Sequence, residues 1–182
     1  MLPKKEIEKK LVKVFEDVAV FGFQGVSLLD YPGTVSSIVY TGYCNLTCPY
    51  CQNPSLLAPA KNSLEPMPAQ YLVEEIIKRK KIIKGVVVTG GEPLMHHSIC
   101  QLIEVFKNDF DLKVKIDTNG LFPDRLQEAF DKNLVDYVAM DFKTSPHKYP
   151  LLGEKSNEKE ISDSLMRSLH IIKPVERFPP VS

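Results

Sequence analysis

Three cysteines that lie close together in the sequence could hold an inorganic cofactor. Cys44, Cys48 and Cys51 form a CxxxCxxC array. The apolar, β-branched segment 35–40 before them is typical of a buried strand, so we expect the cysteines on a loop at the carboxyl end of that strand. Three thiolates can bind three irons of a [4Fe–4S] cluster. The fourth iron would then be open to a small molecule that carries an amine and a carboxylate.

Other uses of these cysteines fit the sequence less well. A disulfide would leave one of the three thiols unpaired, and nothing in the chain indicates secretion. A tetrahedral zinc site needs a fourth ligand, but no second CxxC and no histidine pair lies near in the sequence. Cys100 follows Ile99 in an apolar helical pattern, which indicates a small buried side chain. An iron–sulfur cluster is therefore favoured, with zinc and unrelated buried thiols as the alternatives.

Further polar groups follow the other predicted strands. Gly90-Gly91-Glu92-Pro93 comes directly after one strand, and paired glycines let a backbone approach a ligand closely. Asp117 ends the next strand, and Asp141 and Lys143 follow the one after it. Because barrel enzymes concentrate their chemistry at strand ends, we expect these groups near one ligand. The alternative is structural, with the aspartates capping loops and Lys143 pairing with one of them.

Alternating strands and helices are predicted to position these groups. Buried strands are predicted at 35–40, 85–89, 113–117 and 135–140, with a short edge strand at 18–23 and the start of a further strand at 175–178 before Pro179 and Pro180. Amphipathic helices are predicted at 4–18, 68–79, 99–106, 123–130 and 161–172. This order predicts an α/β fold with a parallel sheet and right-handed crossovers. We expect the first helix to pack on the open edge of the sheet, with a docking extension as the alternative.

The motifs and their order resemble those of the radical SAM superfamily, most closely the activating enzymes of glycyl radical enzymes. Within that group the chain is most similar to the activating proteins of anaerobic ribonucleoside-triphosphate reductases. The matching motifs are Gly25–Gly33, Cys44–Pro54, Thr89–Pro93, Asp117–Gly120 and Met140–Lys143.

This resemblance implies a partial (β/α) barrel of six strand–helix units, of which about four are present. We therefore expect an N-terminal helical extension over residues 1–20 and a radical SAM core domain over 21–182 that is incomplete at its C-terminus. An incomplete sheet would leave one strand edge exposed, which lowers stability and solubility. The activity of a chain without the last strands is correspondingly in question.

The resemblance also implies the roles of individual residues. Cys44, Cys48 and Cys51 would hold the [4Fe–4S] cluster, whose open iron binds S-adenosylmethionine. The backbone of the Gly90-Gly91-Glu92 turn would bind the amino group of that molecule. The remaining residues assigned to cofactor binding are Tyr50 beside the cluster, Asp117, Thr118 and Asp141 as a monovalent-cation site, and Lys143 near the same ligand.

By the same resemblance, the chain is an oxidoreductase that reductively cleaves S-adenosylmethionine. The resulting 5′-deoxyadenosyl radical would install a glycyl radical on a partner, most simply an anaerobic ribonucleotide reductase. A flavodoxin- or ferredoxin-type protein would donate the electron. The alternatives are a radical SAM enzyme with another substrate and a non-catalytic iron–sulfur protein.

Composition agrees with an oxygen-sensitive cytoplasmic protein. The 182 residues are 43% hydrophobic and 25% charged, which suits one globular domain. The 23 basic and 23 acidic residues balance, so the charge favours neither nucleic acid nor an anionic membrane as a partner. The first ten residues are charged where a signal peptide is apolar, and no apolar run approaches membrane-spanning length.

Overall fold

A five-stranded sheet lies at the centre of the computed structural model, which describes residues 3–172. Its strands are β1 (Val20–Ser27), β2 (Ser36–Thr41), β3 (Gly85–Gly90), β4 (Lys113–Thr118) and β5 (Tyr137–Met140). They are adjacent in the order β1-β2-β3-β4-β5, with β1 antiparallel to β2 and all later pairs parallel. The predicted α/β fold is confirmed, and the parallel strands form part of a barrel of the expected type.

Helices cover the sheet in the predicted alternation. They are α1 (Lys4–Val14), α2 (Ala69–Arg79), α3 (Ile99–Glu104), α4 (Pro123–Asp131) and α5 (Glu158–Ile172). Proline precedes α2 and opens α4, where its fixed φ and missing N–H suit a helix start. The helix predicted over 99–106 instead ends as α3 at Glu104 and continues into a π-helical turn, Val105–Asp109, which periodicity did not indicate.

The antiparallel strand β1 is longer than the edge strand predicted at 18–23. It pairs with β2 from Val20 opposite Thr41 to Ser27 opposite Ser36, with irregular register at two places. Most of its residues are half-buried or exposed, unlike those of the inner strands. Since a strand open to solvent needs no continuous apolar run, the hydrophobic pattern gave no sign of its second half.

The first helix joins the main core of the protein. Ile7, Leu11 and Val14 on one face of α1 are buried in the same cluster as the helix-covered face of the sheet. The helix packs on α2 and α3, not along an open sheet edge as predicted. The apolar face of α1 packs on the helices that cover the sheet because these helices present apolar side chains, whereas a sheet edge presents backbone N–H and C=O groups. The division into an extension and a core domain at residue 20 stays a prediction.

Within residues 3–172, β5 forms the outer edge of the parallel part of the sheet. All four of its residues are half-buried, while Val86 to Val88 in β3 are fully buried. The predicted strand at 175–178 lies outside the described residues. Among residues 3–172, no helix combines the length and apolar character that crossing a membrane would require.

Candidate functional site

The carboxyl ends of the parallel strands surround a cavity of about 590 Å³, a size typical of small-molecule sites. The register of the parallel strands places their carboxyl ends side by side, since Thr41 pairs with Gly90 and Thr118 pairs with Met140. The structure places all eleven predicted site residues on the wall of this one cavity, although their roles stay predictions. They are Cys44, Cys48, Tyr50, Cys51, Gly90, Gly91, Glu92, Asp117, Thr118, Asp141 and Lys143.

The three cysteines of the loop after β2 are half-buried free thiols. Burial raises the pKa of Cys44 to about 11, although the N–H of Leu46, 3.4 Å from its sulfur, opposes the shift. The Cys44 thiol therefore keeps its proton at neutral pH until a metal replaces it, and cluster binding must release that proton. Cys100 is 2% exposed in the main core and takes no part in the cavity.

Nowhere in residues 3–172 do three His, Cys, Asp or Glu side chains converge on one ion. An iron–sulfur cubane takes each thiolate on a different iron, so its ligands are spread farther apart than those of a zinc ion.

The path of the cysteine loop is set by the residue before Cys44. Tyr43 adopts a φ of +64°, a conformation that costs free energy for a non-glycine residue. Its N–H donates to the carbonyl of Leu56 at 2.6 Å, and its carbonyl accepts from the N–H of Glu92 at 2.8 Å. The imidazole of His96 lies 2.9 Å from the carbonyl of Gly42. These contacts hold the entry to the loop against the end of β3.

Gly90 and Gly91 allow this close approach. A Cβ on Gly91 would lie 1.8 Å from the carbonyl oxygen of Tyr43, and one on Gly90 would lie 2.4 Å from that of Thr41. Gly90 also has a φ of +113°. The sequence predicted that these glycines admit a ligand to the backbone. In the structure, the backbone that approaches Gly91 most closely is the chain's own, immediately before Cys44.

The carboxylate of Glu92 connects two strand ends. It is 1% exposed and accepts hydrogen bonds from the N–H of Leu94, the hydroxyl of Thr118 and the N–H of Asn119, at 3.0, 2.8 and 2.7 Å. Burial raises the pKa of Glu92 to about 7, although these three donors lower it. All three donors are protein groups, so the Glu92 side chain braces the site. The backbone of Glu92 is also engaged, since its N–H donates to Tyr43 and its carbonyl accepts from the N–H of Met95.

Two asparagines extend this network to the cysteine loop. Asn119 donates from its amide to Asn45 at 2.8 Å, and Asn45 donates in turn to Glu154 at 2.9 Å. Sequence reasoning did not single out these residues. Asn45 and Asn119 lie inside the motifs around Cys44 and Asp117, so their place in the sequence could have identified them as site residues. Nothing in the sequence around Glu154 could have identified it, since that segment contains no motif.

The strand-end aspartates both face lysines. Asp117 lies 2.6 Å from the ammonium of Lys115, and Asp141 lies 2.8 Å from that of Lys143. Burial lowers the pKa of Lys143, but the hydrogen bond and charge of Asp141 outweigh it, and the pKa is raised. Thr118 is engaged with Glu92. Lys115, a cavity residue that sequence reasoning missed, shares the inward face of β4 with Asp117.

Tyr50 lies at the cavity rim and holds the loop after β5. Its hydroxyl donates to the carbonyl of Lys143 at 2.8 Å, while the N–H of Lys143 donates to the hydroxyl of Tyr149 at 3.2 Å. The ring of Tyr50 is 57% exposed. The contact joins the cysteine loop to the loop that carries Asp141 and Lys143.

Comparison with known protein families finds the Radical SAM superfamily over residues 38–173. This match begins within β2 and contains the cysteine loop and every other cavity residue described above.

Individual relatives agree at the family level but differ in their reactions. A Methanocaldococcus jannaschii protein provisionally assigned as a glycyl-radical enzyme activating enzyme is 29% identical over 157 residues, or 85% of this chain. A Haemophilus influenzae protein with the same provisional assignment is 37% identical over 61% of the chain. The 7-carboxy-7-deazaguanine synthase of the same organism is 31% identical over 76%. The chain spans 62%, 42% and 56% of the lengths of these three relatives.

The fold also matches a solved structure. The crystal structure of QueE from Escherichia coli aligns with a TM-score of 0.51 at 13% sequence identity, covering 96% of this chain and 80% of that one. At this identity the match concerns the fold alone.

The cavity position of the three thiols predicts that each is needed for iron binding and that Cys100 is not. The anaerobically reconstituted chain should bind about four irons. Replacement of Cys44, Cys48 or Cys51 by Ala should remove most of this iron, since each would leave one iron without its thiolate. The Cys100→Ala variant is the matched control and should keep the parent iron content. Full retention of iron by Cys48→Ala would contradict the assignment.

The backbone contact of Gly91 predicts that Gly91→Ala impairs cluster assembly as well as ligand binding. The added Cβ must displace the Tyr43 carbonyl, which should lower the free energy of unfolding by about 1–3 kcal/mol and move Cys44. Iron content and chemical denaturation measure the two effects. Gly33→Ala is the control for an added methyl group that meets no other atom, since nothing lies within 4 Å of a Cβ at Gly33. Its φ of +66° adds a backbone strain that Gly91→Ala does not have, so any loss of stability in this control is an upper bound for the methyl group alone. If Gly91→Ala kept the parent iron content, the backbone contact would not position the cysteine loop.

Proposed function

The chain belongs to the radical SAM superfamily, and we propose that it cleaves S-adenosylmethionine reductively to install a glycyl radical on a partner enzyme. The partner that its motifs favour is an anaerobic ribonucleotide reductase. A flavodoxin- or ferredoxin-type protein would supply the electron. The family assignment rests on the match over residues 38–173.

The observation that carries this proposal is the convergence of three free thiols and the glycine turn on one cavity. Residues of the cysteine loop and of the three other strand ends line the same cavity of about 590 Å³. This space fits a cluster held by three thiolates together with a small molecule on its open iron. The bound cluster would supply the single electron that breaks the sulfonium bond of S-adenosylmethionine.

The protein itself would bind and enclose the reacting molecule. The thiolates of Cys44, Cys48 and Cys51 are the ligands for the cluster. The Gly90–Glu92 turn is held against the cysteine loop by two backbone hydrogen bonds, from Gly91 to Thr41 at 2.9 Å and from Glu92 to Tyr43 at 2.8 Å. These contacts fix the distance between the cluster ligands and the ligand-binding turn before any ligand arrives, which reduces the entropy lost on binding.

A protein substrate is supported by the surface around the cavity. Tyr50 and Phe142 both line the cavity, yet their side chains are 57% and 53% exposed. Exposed aromatic rings beside an active cavity are typical of surfaces that another protein covers. A loop of the partner that carries the target glycine would cover these rings and exclude water from the radical.

A second candidate is a radical SAM enzyme that acts on a small molecule. The observation in its favour is the 31% identity to a 7-carboxy-7-deazaguanine synthase over 76% of the chain. This relative aligns over less of the chain than the M. jannaschii protein, which covers 85%. We therefore place the activase first.

The two candidates predict different outcomes in one set of assays. The reconstituted chain, supplied anaerobically with reductant and S-adenosylmethionine, should release 5′-deoxyadenosine and methionine. With anaerobic ribonucleotide reductase present, a glycyl radical should appear in the electron paramagnetic resonance spectrum. The Cys48→Ala variant should produce neither signal.

The activase proposal fails if 5′-deoxyadenosine forms but no glycyl radical enzyme acquires a radical. Restoration of 7-carboxy-7-deazaguanine formation in a strain that lacks its own synthase would then select the second candidate. An absence of 5′-deoxyadenosine from a chain with full iron content would contradict both.

A further inference from the structure

Lys115 carries a buried positive charge into the cavity wall. Its side chain is 9% exposed, and its ammonium lies 2.6 Å from Oδ1 of Asp117. The same ammonium lies 5.9 Å from the centre of the Tyr137 ring, a distance at which a ring face attracts a cation. Lysine is seldom buried to this extent without an anionic partner. The cavity therefore contains a cation that belongs to the chain.

The three side chains that resemblance assigned to a monovalent cation all contact other protein groups, although Oδ1 of Asp117 accepts no hydrogen bond and has only its ion pair with Lys115. Asp117 faces Lys115, and Asp141 lies 2.8 Å from Lys143. The hydroxyl of Thr118 donates to Glu92 at 2.8 Å and accepts from the N–H of Gly120 at 3.1 Å. A potassium or sodium ion at this place would have to displace these partners.

Displacing Lys115 would be unfavourable for two reasons. The lysine is covalently attached two residues from Asp117, so it competes at a high local concentration. An ion that displaced Lys115 from Asp117 would also leave the buried ammonium of Lys115, whose side chain is 9% exposed, without its anionic partner. Each of the two aspartates of the proposed cation site thus already has one ammonium group as its counter-charge.

We propose that the ammonium of Lys115 takes the place of the monovalent cation in this chain, so that binding of S-adenosylmethionine requires neither potassium nor sodium. The binding part rests on the proposed function. The ion pair and its effect on stability do not.

Three variants separate the charge of Lys115 from its volume. Lys115→Ala removes the ammonium and opens space beside Asp117 for an ion. Lys115→Met removes the charge but fills most of the space. Lys113→Ala is the matched control, because Lys113 lies on the same strand with an exposed side chain.

Thermal unfolding of the anaerobically purified full chain tests the ion pair. Potassium is raised from 1 to 100 mM while tetramethylammonium keeps the ionic strength constant. The midpoints of the parent and of Lys113→Ala should stay within about 1 °C, because neither offers an empty cation site. The midpoint of Lys115→Ala should rise by about 2–4 °C as potassium binds the folded state, and Lys115→Met should respond less.

Two results of the thermal experiment would overturn the proposal. One is a parent midpoint that rises with potassium as much as that of Lys115→Ala, and the other is a Lys115→Ala midpoint that does not respond. If Lys115→Ala does not fold, the unfolding midpoint of the parent is the test. A parent midpoint that rises with potassium contradicts the proposal, and one that does not change supports it.

The affinity for S-adenosylmethionine, measured by equilibrium binding to the cluster-loaded chain, tests the consequence for the cofactor. The parent affinity should agree within about twofold in potassium and in tetramethylammonium, whereas Lys115→Ala should bind at least about tenfold more weakly without potassium and recover with it. A parent that needs potassium would refute the proposal. Failure of every variant to bind in either salt would contradict the proposed function, and the thermal experiment would still decide on Lys115.

Discussion

The candidate site depends on one buried carboxylate. Glu92 leaves the end of β3, is 1% exposed, and accepts three hydrogen bonds from residues at the ends of β3 and β4. A carboxylate without partners in such a place would cost several kcal/mol, which is why all of its donors are short and internal. Because Asn119 continues the network to Asn45, the same carboxylate also fixes the cysteine loop. The hydrogen bonds of the Glu92 carboxylate and of Asn119 thus connect three loops that are distant in sequence.

The glycine turn adds a steric constraint to this network. Gly91 meets the carbonyl of Tyr43 at a distance that no side chain could tolerate, and Tyr43 holds a left-handed conformation between hydrogen bonds on both sides. Close backbone contact leaves the loop before Cys44 a single path. The three cysteines and the glycine turn are therefore prearranged, as a cofactor site in the proposed roles would require. Tyr50, which lies at the rim, connects this loop to the loop that carries Lys143.

The sequence predicted the layout of the molecule well because periodicity and strand-end chemistry act locally. Four parallel strands and their helices follow from apolar runs that end in Cys, Gly or Asp motifs, whereas the choice of the eleven site residues came from the family resemblance of those motifs. The second half of β1 escaped prediction, since a solvated antiparallel strand has no apolar pattern. The packing of α1 on α2 and α3 also escaped, because an amphipathic stripe does not specify its partner. Lys115 could have been found, as alternation along β4 places it on the face of Asp117, whereas the contact of Glu154 with Asn45 depends on tertiary structure alone.

The central claim is that the carboxylate of Glu92 holds the loops of the site in place, and amide hydrogen exchange of the Glu92→Gln variant tests it most directly. In either orientation the new amide turns an NH₂ group toward a donor of the network, which costs about 1–3 kcal/mol. The account predicts that exchange at Asn119 and in the cysteine loop accelerates by about tenfold or more, while α1 and α4 exchange as in the parent. Glu104→Gln, at an exposed position on α3, should change none of these rates. Unchanged exchange at Asn119 and the cysteine loop in Glu92→Gln would contradict the account.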